Sequence, residues 1–167
     1  FSGVNTASMG TAALRPTKVA WQQVGALVPI TGCTAGVFGA VGTKDMANAA
    51  LNECAFNWPV TADVDAAGDI VVGIVWTSDA GGDATTAIFD VEHSCVADGA
   101  QTDTAFVSVS GAPGTADTLT LSDEMEVIEF TVTDAIAVFD AGDVCHINVQ
   151  RQVGGTLVGV IQVLDVY

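Results

Sequence analysis

Residues 86–97 read "TAIFDVEHSCVA", and the character of the side chains changes at every step. Phe89, Val91, His93 and Cys95 fall on one side of an extended chain, and Asp90, Glu92 and Ser94 on the other. A period of two is the mark of a β-strand with one face on a core. The pattern returns at 125–133, where Ile128, Phe130 and Val132 oppose Glu129, Thr131 and Thr133. It returns again at 143–151, where Cys145, Ile147 and Val149 oppose His146, Asn148 and Gln150. Outward from these three, further β-segments fall at about 17–28 (with Trp21), 47–58 (closed by Pro59), 69–78, 104–110 and 156–166. The connections "TADVDAAGD", "DAGGDAT", "GAPGTADT" and "DAIAVFDAGD" are rich in turn formers. A single helical turn is expected near 43–50. Eight such segments predict an all-β, eight-stranded antiparallel β-sandwich, with the jelly roll as its preferred topology. That topology orders the sheets first–eighth–third–sixth and second–seventh–fourth–fifth.

The last segment departs from alternation. In "GGTLVGVIQVLDVY" (154–167), Val158, Val160 and Leu164 point one way, and Leu157, Ile161, Val163 and Tyr167 the other. The third segment, "IVVGIVW", likewise sets Val71 and Val75 opposite Ile70, Val72, Ile74 and Trp76. The jelly-roll order makes these two strands neighbours. Their outward apolar positions would then form one patch, and such a patch marks a subunit interface. Val71, Val75, Val158, Val160 and Leu164 are therefore expected to be assembly residues. Phe1 and Val4 join them, because residues 1–16 read as an extended arm able to reach a neighbour. Residues 17–167 form a single sandwich domain.

The chain has 167 residues, enough for one domain with a real core. Its 20 acidic residues, fifteen of them Asp, face only Arg15, Lys18, Lys44 and Arg151, for a net charge of −16. Such a surface repels nucleic acid and anionic membrane. No run of 18 apolar residues is present, so no membrane insertion is expected. The chain carries no signal peptide and opens on Phe1 rather than Met, as a processed chain or the ordered part of a longer one would.

Chemistry is sparse. Cys33, Cys54, Cys95 and Cys145 make no CxxC pair. Cys54, Cys95 and Cys145 point inward, and the jelly-roll order allows a Cys95–Cys145 or a Cys54–Cys145 bridge, with Cys33 left for the remaining partner or for none. His93, Cys95, Cys145 and His146 do not converge as metal ligands, because alternation sends His146 to the far face. The glycine-rich 32–44 lacks phosphate-loop spacing and reads as a loop or an extended arm. Asp63, Asp65 and Asp69 crowd one connection as a calcium candidate, against the plainer reading of solvated turn acids. No catalytic constellation and no cofactor are implied.

The runs "FNWPVTADVD", "IVVGIVWTSDAGG", "AIFDVEHSCVADGA", "FDAGDVCHINVQRQ" and "LVGVIQVLDVY" resemble β-sandwich structural proteins of tailed phages and marine viruses. The shared features are Trp58-Pro59, Trp76-Thr77, Gly142-Asp143 with Arg151, and the closing Tyr167. The resemblance implies a decoration, spike or fibre role and no active site. The expected function is thus a non-catalytic, self-assembling subunit at a virion surface, bound to copies of itself and to another structural protein. The alternative is a secreted filament or surface-layer subunit. A carbohydrate-binding module would carry exposed aromatics on loops, whereas Trp21, Trp58 and Trp76 all fall within strands.

Overall fold

The computed structural model describes residues 22–23, 27–48, 51–62, 64, 68–80, 85–97, 105–111, 114–133 and 139–167. The expected arm at 1–16, with Phe1 and Val4, and Trp21 lie outside these residues. The described strands are β1 (Gln22–Gln23), β2 (Val28–Thr31), β3 (Cys33–Phe38), β4 (Val41–Met46), β5 (Asn52–Pro59) and β6 (Ile70–Thr77). They continue as β7 (Thr85–Val96), β8 (Val107–Ser108), β9 (Thr115–Leu119), β10 (Glu126–Val132), β11 (Val144–Gln152) and β12 (Ile161–Val166).

Two sheets result. The first runs β10–β6–β12–β4–β3, with β1 also on β12; the second runs β2–β5–β11–β7–β8, with β9 also on β7. The expected neighbours are met: β12 lies against β6 and β1, and β11 lies between β5 and β7. The fold is a jelly-roll-like β-sandwich.

Alternation delivers one face of each strand to a shared core. Trp76 from the first sheet packs on Phe89 from the second, ring centroids 5.1 Å apart. Ile74, Val91, Ile128 and Ile147 complete the contact between sheets. Burying each such side chain contributes about 1.5–3 kcal/mol. The buried indole N–H of Trp76 needs an acceptor. It donates to Asp117 Oδ2 of β9 at 2.8 Å.

Three local expectations are corrected. Residues 32–44 are not a loop or arm but most of a hairpin: β3 and β4 pair from Cys33↔Met46 to Phe38↔Val41. A two-residue turn at Gly39 and Ala40 closes it, with Gly39 at φ 59°. The helical turn near 43–50 is absent over its described part, since residues 43–46 belong to β4. The last strand begins at Ile161 rather than near 156, and the chain leaves β11 through Gly154 and Gly155 at φ of 125° and 69°.

Part of the apolar end of the chain is covered within the molecule, while Val158 and Val160 stay exposed. Ile161, Val163 and Val166 are fully buried, and a register shift between Val163 and Asp165 lets both Val163 and Val166 face the core. Tyr167 exchanges two backbone hydrogen bonds with Gly73 and donates its hydroxyl to Glu129 Oε1 at 2.6 Å. Its ring lies over Gly73 so closely that a Cβ there would stand 2.2 Å from Cζ. The outward side of β6 is thus covered at its middle by the chain's own last residue.

All four cysteines are paired, as Cys33–Cys54 and Cys95–Cys145. The first joins β3 of one sheet to β5 of the other. The second ties two residues already opposite each other on β7 and β11. Of the two bridges that the strand order allowed to Cys145, the one to Cys95 is formed.

Arg151 ends up wholly buried at the inward side of β11. It donates to three carbonyl oxygens, from Nη1 to Met46 (2.5 Å) and Gly159 (2.7 Å) and from Nη2 to Leu157 (2.8 Å). Desolvation pulls its pKa down to about 10, so it remains charged at neutral pH.

Candidate functional site

The outward face of the second sheet is where polar side chains converge. Register places them in rows across three strands. Asn57, His146 and Ser94 form one row, Ala55, Asn148 and Glu92 the next, and Glu53, Gln150 and Asp90 the third. The middle row extends to Val28 on β2 and Ser108 on β8, so it crosses five strands. At the usual strand spacing this is roughly 19 Å.

An outward face of an edge-exposed sheet is ordinarily wet. Here its centre is not: Asn148 is 3% exposed, Gln150 2% and Asp90 3%. Polar groups packed this closely must bond to one another or lose the free energy of hydration. Most do bond. Gln150 Nε2 donates to Glu53 Oε1 at 2.9 Å, and Gln152 Nε2 to Gln150 Oε1 at 2.6 Å. His146 Nδ1 and Asn57 Oδ1 lie 2.6 Å apart. Asp90 accepts from the hydroxyls of Ser108 and Ser110, which ties β8 and its following turn to β7. Asn148 Nδ2 stands between two carboxylates, 3.4 Å from Glu53 Oε1 and 3.2 Å from Glu92 Oε2. Its Oδ1 is buried without a hydrogen-bond partner.

Small Ala55 beside Asn148 leaves the floor low at that point. At the rim, Phe106 precedes β8 by one residue and is 43% exposed. It stands two residues before Ser108, in the segment that leads into β8. Neither described basic side chain joins this face, since Lys44 belongs to β4 of the other sheet and Arg151 points to the core.

Burial, first, and then the Glu53 and Asp90 charges raise the pKa of Glu92 above the ordinary carboxylate value of 4.5, against the hydrogen bonds of Asn148 and Gln150. A raised folded value favours the protonated form. Its contribution to stability is complete below about 4.5 and is lost as pH rises through the folded value. Glu92→Gln stays neutral throughout. It should therefore unfold at higher denaturant than the parent at neutral pH, with the gap closing as pH falls toward 4.5. Parallel curves for the two proteins would refute this. His93, on the core side of β7, has its pKa lowered by burial and acts in the opposite sense. It is present in both proteins and cancels in the difference.

The residues expected to form an assembly face differ in exposure. Val71 and Val158 are exposed, Val158 at 85%, while Val75 is 8% exposed and Leu164 half-buried. Val158 and Val160 precede β12 instead of lying on it. Asp63 and Asp65 lie outside the described residues, and Asp69 is exposed. Among the described residues no group of three or more His, Cys, Asp or Glu is arranged to hold a metal. The polar floor was missed as a site. Its signal was the run of outward positions His146, Asn148, Gln150 and Gln152, all imidazole or amide where a solvated strand commonly carries Lys, Glu or Thr.

No family model matches the chain, and no curated protein matches it either. Solved structures do. The CBM22-2 xylan-binding domain of Paenibacillus barcinonensis Xyn10C is similar at 11% identity and a TM-score of 0.48, over 88% of this chain and 89% of that one. A carbohydrate-binding module specific for non-crystalline cellulose, CBM28, is similar at 11% identity and a TM-score of 0.48, over 87% and 84%. TmCBM61, solved with β-1,4-galactotriose, is similar at 10% identity and a TM-score of 0.41, over 88% and 86%. Likeness at such identities concerns the fold.

These neighbours are described as carbohydrate-binding modules, and the virion structural role expected from the sequence finds no counterpart among them. The β-sandwich part of the resemblance to phage and marine-virus proteins stands; a relationship to them is not shown. Among the described residues no helix is long and apolar enough to cross a membrane.

Proposed function

We propose that the chain is a non-catalytic glycan-binding module, and that the outward face of the second sheet is its binding surface. One observation carries this reading: Asn148, at the centre of that face, is nearly buried and keeps a carbonyl oxygen without a partner. An unsatisfied buried acceptor costs about 1–3 kcal/mol, and a ligand hydroxyl that reached it would recover that cost. Sugars present hydroxyls that both donate and accept. A floor of amides and carboxylates matches that chemistry better than it matches an apolar or an anionic ligand. Phe106 adds an apolar face at the rim, and the row across five strands is long enough for several sugar rings. The two disulfides favour an oxidising, extracellular setting.

The test is titration calorimetry against a panel of soluble β-glucan, xylan, mannan and chitin oligosaccharides. Asn148→Ala should weaken the binding found by about tenfold or more, as loss of one such hydrogen-bonding group does. Its circular dichroism should match that of the parent. Failure of the parent to bind any member of the panel, or an unchanged affinity in Asn148→Ala, would remove the reading.

A further inference from the structure

The hydrogen-bond ledger of the floor is unbalanced. Its side-chain amide donors are directed inward among themselves: Asn148 Nδ2 toward Glu53 and Glu92, Gln150 Nε2 to Glu53, and Gln152 Nε2 to Gln150. At the centre of the floor this leaves acceptor capacity on the carboxylates of Glu53 and Glu92 and on the buried, unpartnered Oδ1 of Asn148, whereas the spare amide donors belong to Asn57 and Gln152 at its two ends. A ligand that completes this set must bring N–H or O–H donors, and positive charge would improve the match. A hydroxyl brings one donor and two lone pairs; a primary ammonium brings three donors, a charge and no lone pair. A calcium ion would need six to eight oxygens, and the described residues hold no group of acidic, His or Cys side chains arranged for a metal.

We infer that the glycan recognised on this face carries free amino groups, and that one ammonium seats between Glu53 and Glu92 over Asn148. This deepens the glycan reading and rests on it. Charge-assisted hydrogen bonds are about twice as strong as neutral ones, so the amino sugar should be selected over its uncharged counterpart. Binding should relieve the mutual repulsion of the two carboxylates. The electrostatic part of that relief should weaken with added salt.

A chain of net charge −16 attracts any polycation, so the test uses short oligomers and a charge-matched control. A glucosamine tetramer, its fully N-acetylated counterpart and a glucose tetramer are titrated into the full chain at physiological salt. Acetylation removes the charge and leaves the sugar backbone. The deacetylated tetramer should bind at least tenfold more tightly than either other ligand. Glu53→Gln and Glu92→Gln together should abolish that preference, while Glu126→Gln with Glu129→Gln, which remove the same charge from β10 of the other sheet, should keep it. Equal affinity for the three tetramers would overturn the inference and leave the glycan reading standing. Equal loss of preference in the two double variants would overturn it as attraction to net charge alone. Absence of binding by all three tetramers and by the wider panel would remove both.

Discussion

Arg151→Met should lower the free energy of unfolding by about 3–5 kcal/mol, since three buried carbonyls each lose a donor at roughly 1–3 kcal/mol and burying a thioether in place of a charge offsets part of that. The side chain is of comparable length and apolar, so it leaves little void. What it cannot do is donate. The carbonyls of Met46, Leu157 and Gly159 would then be left without the guanidinium that now bonds to all three. These three carbonyls belong to the end of β4 and to the irregular segment before β12. Arg151 is thus the clasp that holds the entry to β12 in place. Urea unfolding with the disulfides intact measures the effect. A loss under 1 kcal/mol would mean that the segment is held by its backbone bonds to Thr86 instead, which Leu157 N–H makes at 2.9 Å.

Removing the Cys95–Cys145 bridge by paired alanine substitution should cost about 4 kcal/mol in the chain-entropy account, from a sequence separation of 50. Removing Cys33–Cys54, with a separation of 21, should cost about 3 kcal/mol. The order is the informative part. The longer loop joins two strands already paired in one sheet, whereas the shorter one joins the two sheets. If the shorter bridge proves the costlier, inter-sheet constraint in the native state outweighs loop closure in the unfolded one. Reduction of both should remove roughly 7 kcal/mol, which would leave a domain of ordinary stability largely unfolded.

Strands β7, β10 and β11 were legible because each alternates between large apolar and distinctly polar residues, and their pairing order followed from the jelly-roll rule. The β3–β4 hairpin and β9 were not. "CTAGVF" and "TADTL" are made mostly of small or hydroxylated residues that suit either face and either conformation, so alternation carries little information there. The early start assigned to the last strand failed over residues 156–160, which are mostly apolar and yet lie outside β12. The site was half legible. Asp90, Glu92, Ser94, His146, Asn148 and Gln150 were placed on the side of their strands away from the core, and no site was read there. Sequence places a polar side chain on a face; it does not say how closely its neighbours pack, and the burial of Asn148 and Gln150 is a property of that packing. The sequence reading looked for exposed aromatics only among Trp21, Trp58 and Trp76, whereas Phe106, in the segment before β8, is an exposed one.

Strand β11 divides its labour by parity. Odd positions hold Cys145, Ile147, Val149 and Arg151, which keep the domain folded, and even positions hold His146, Asn148, Gln150 and Gln152, which form the floor. Point changes at even positions act on the hydrogen-bond network of the outward face, and changes at odd positions act on the core. Deleting or inserting one residue acts on both. It would turn the disulfide, the core and the arginine clasp toward solvent and the amides toward the core at a single stroke. Across relatives of this chain, β11 should keep an invariant length.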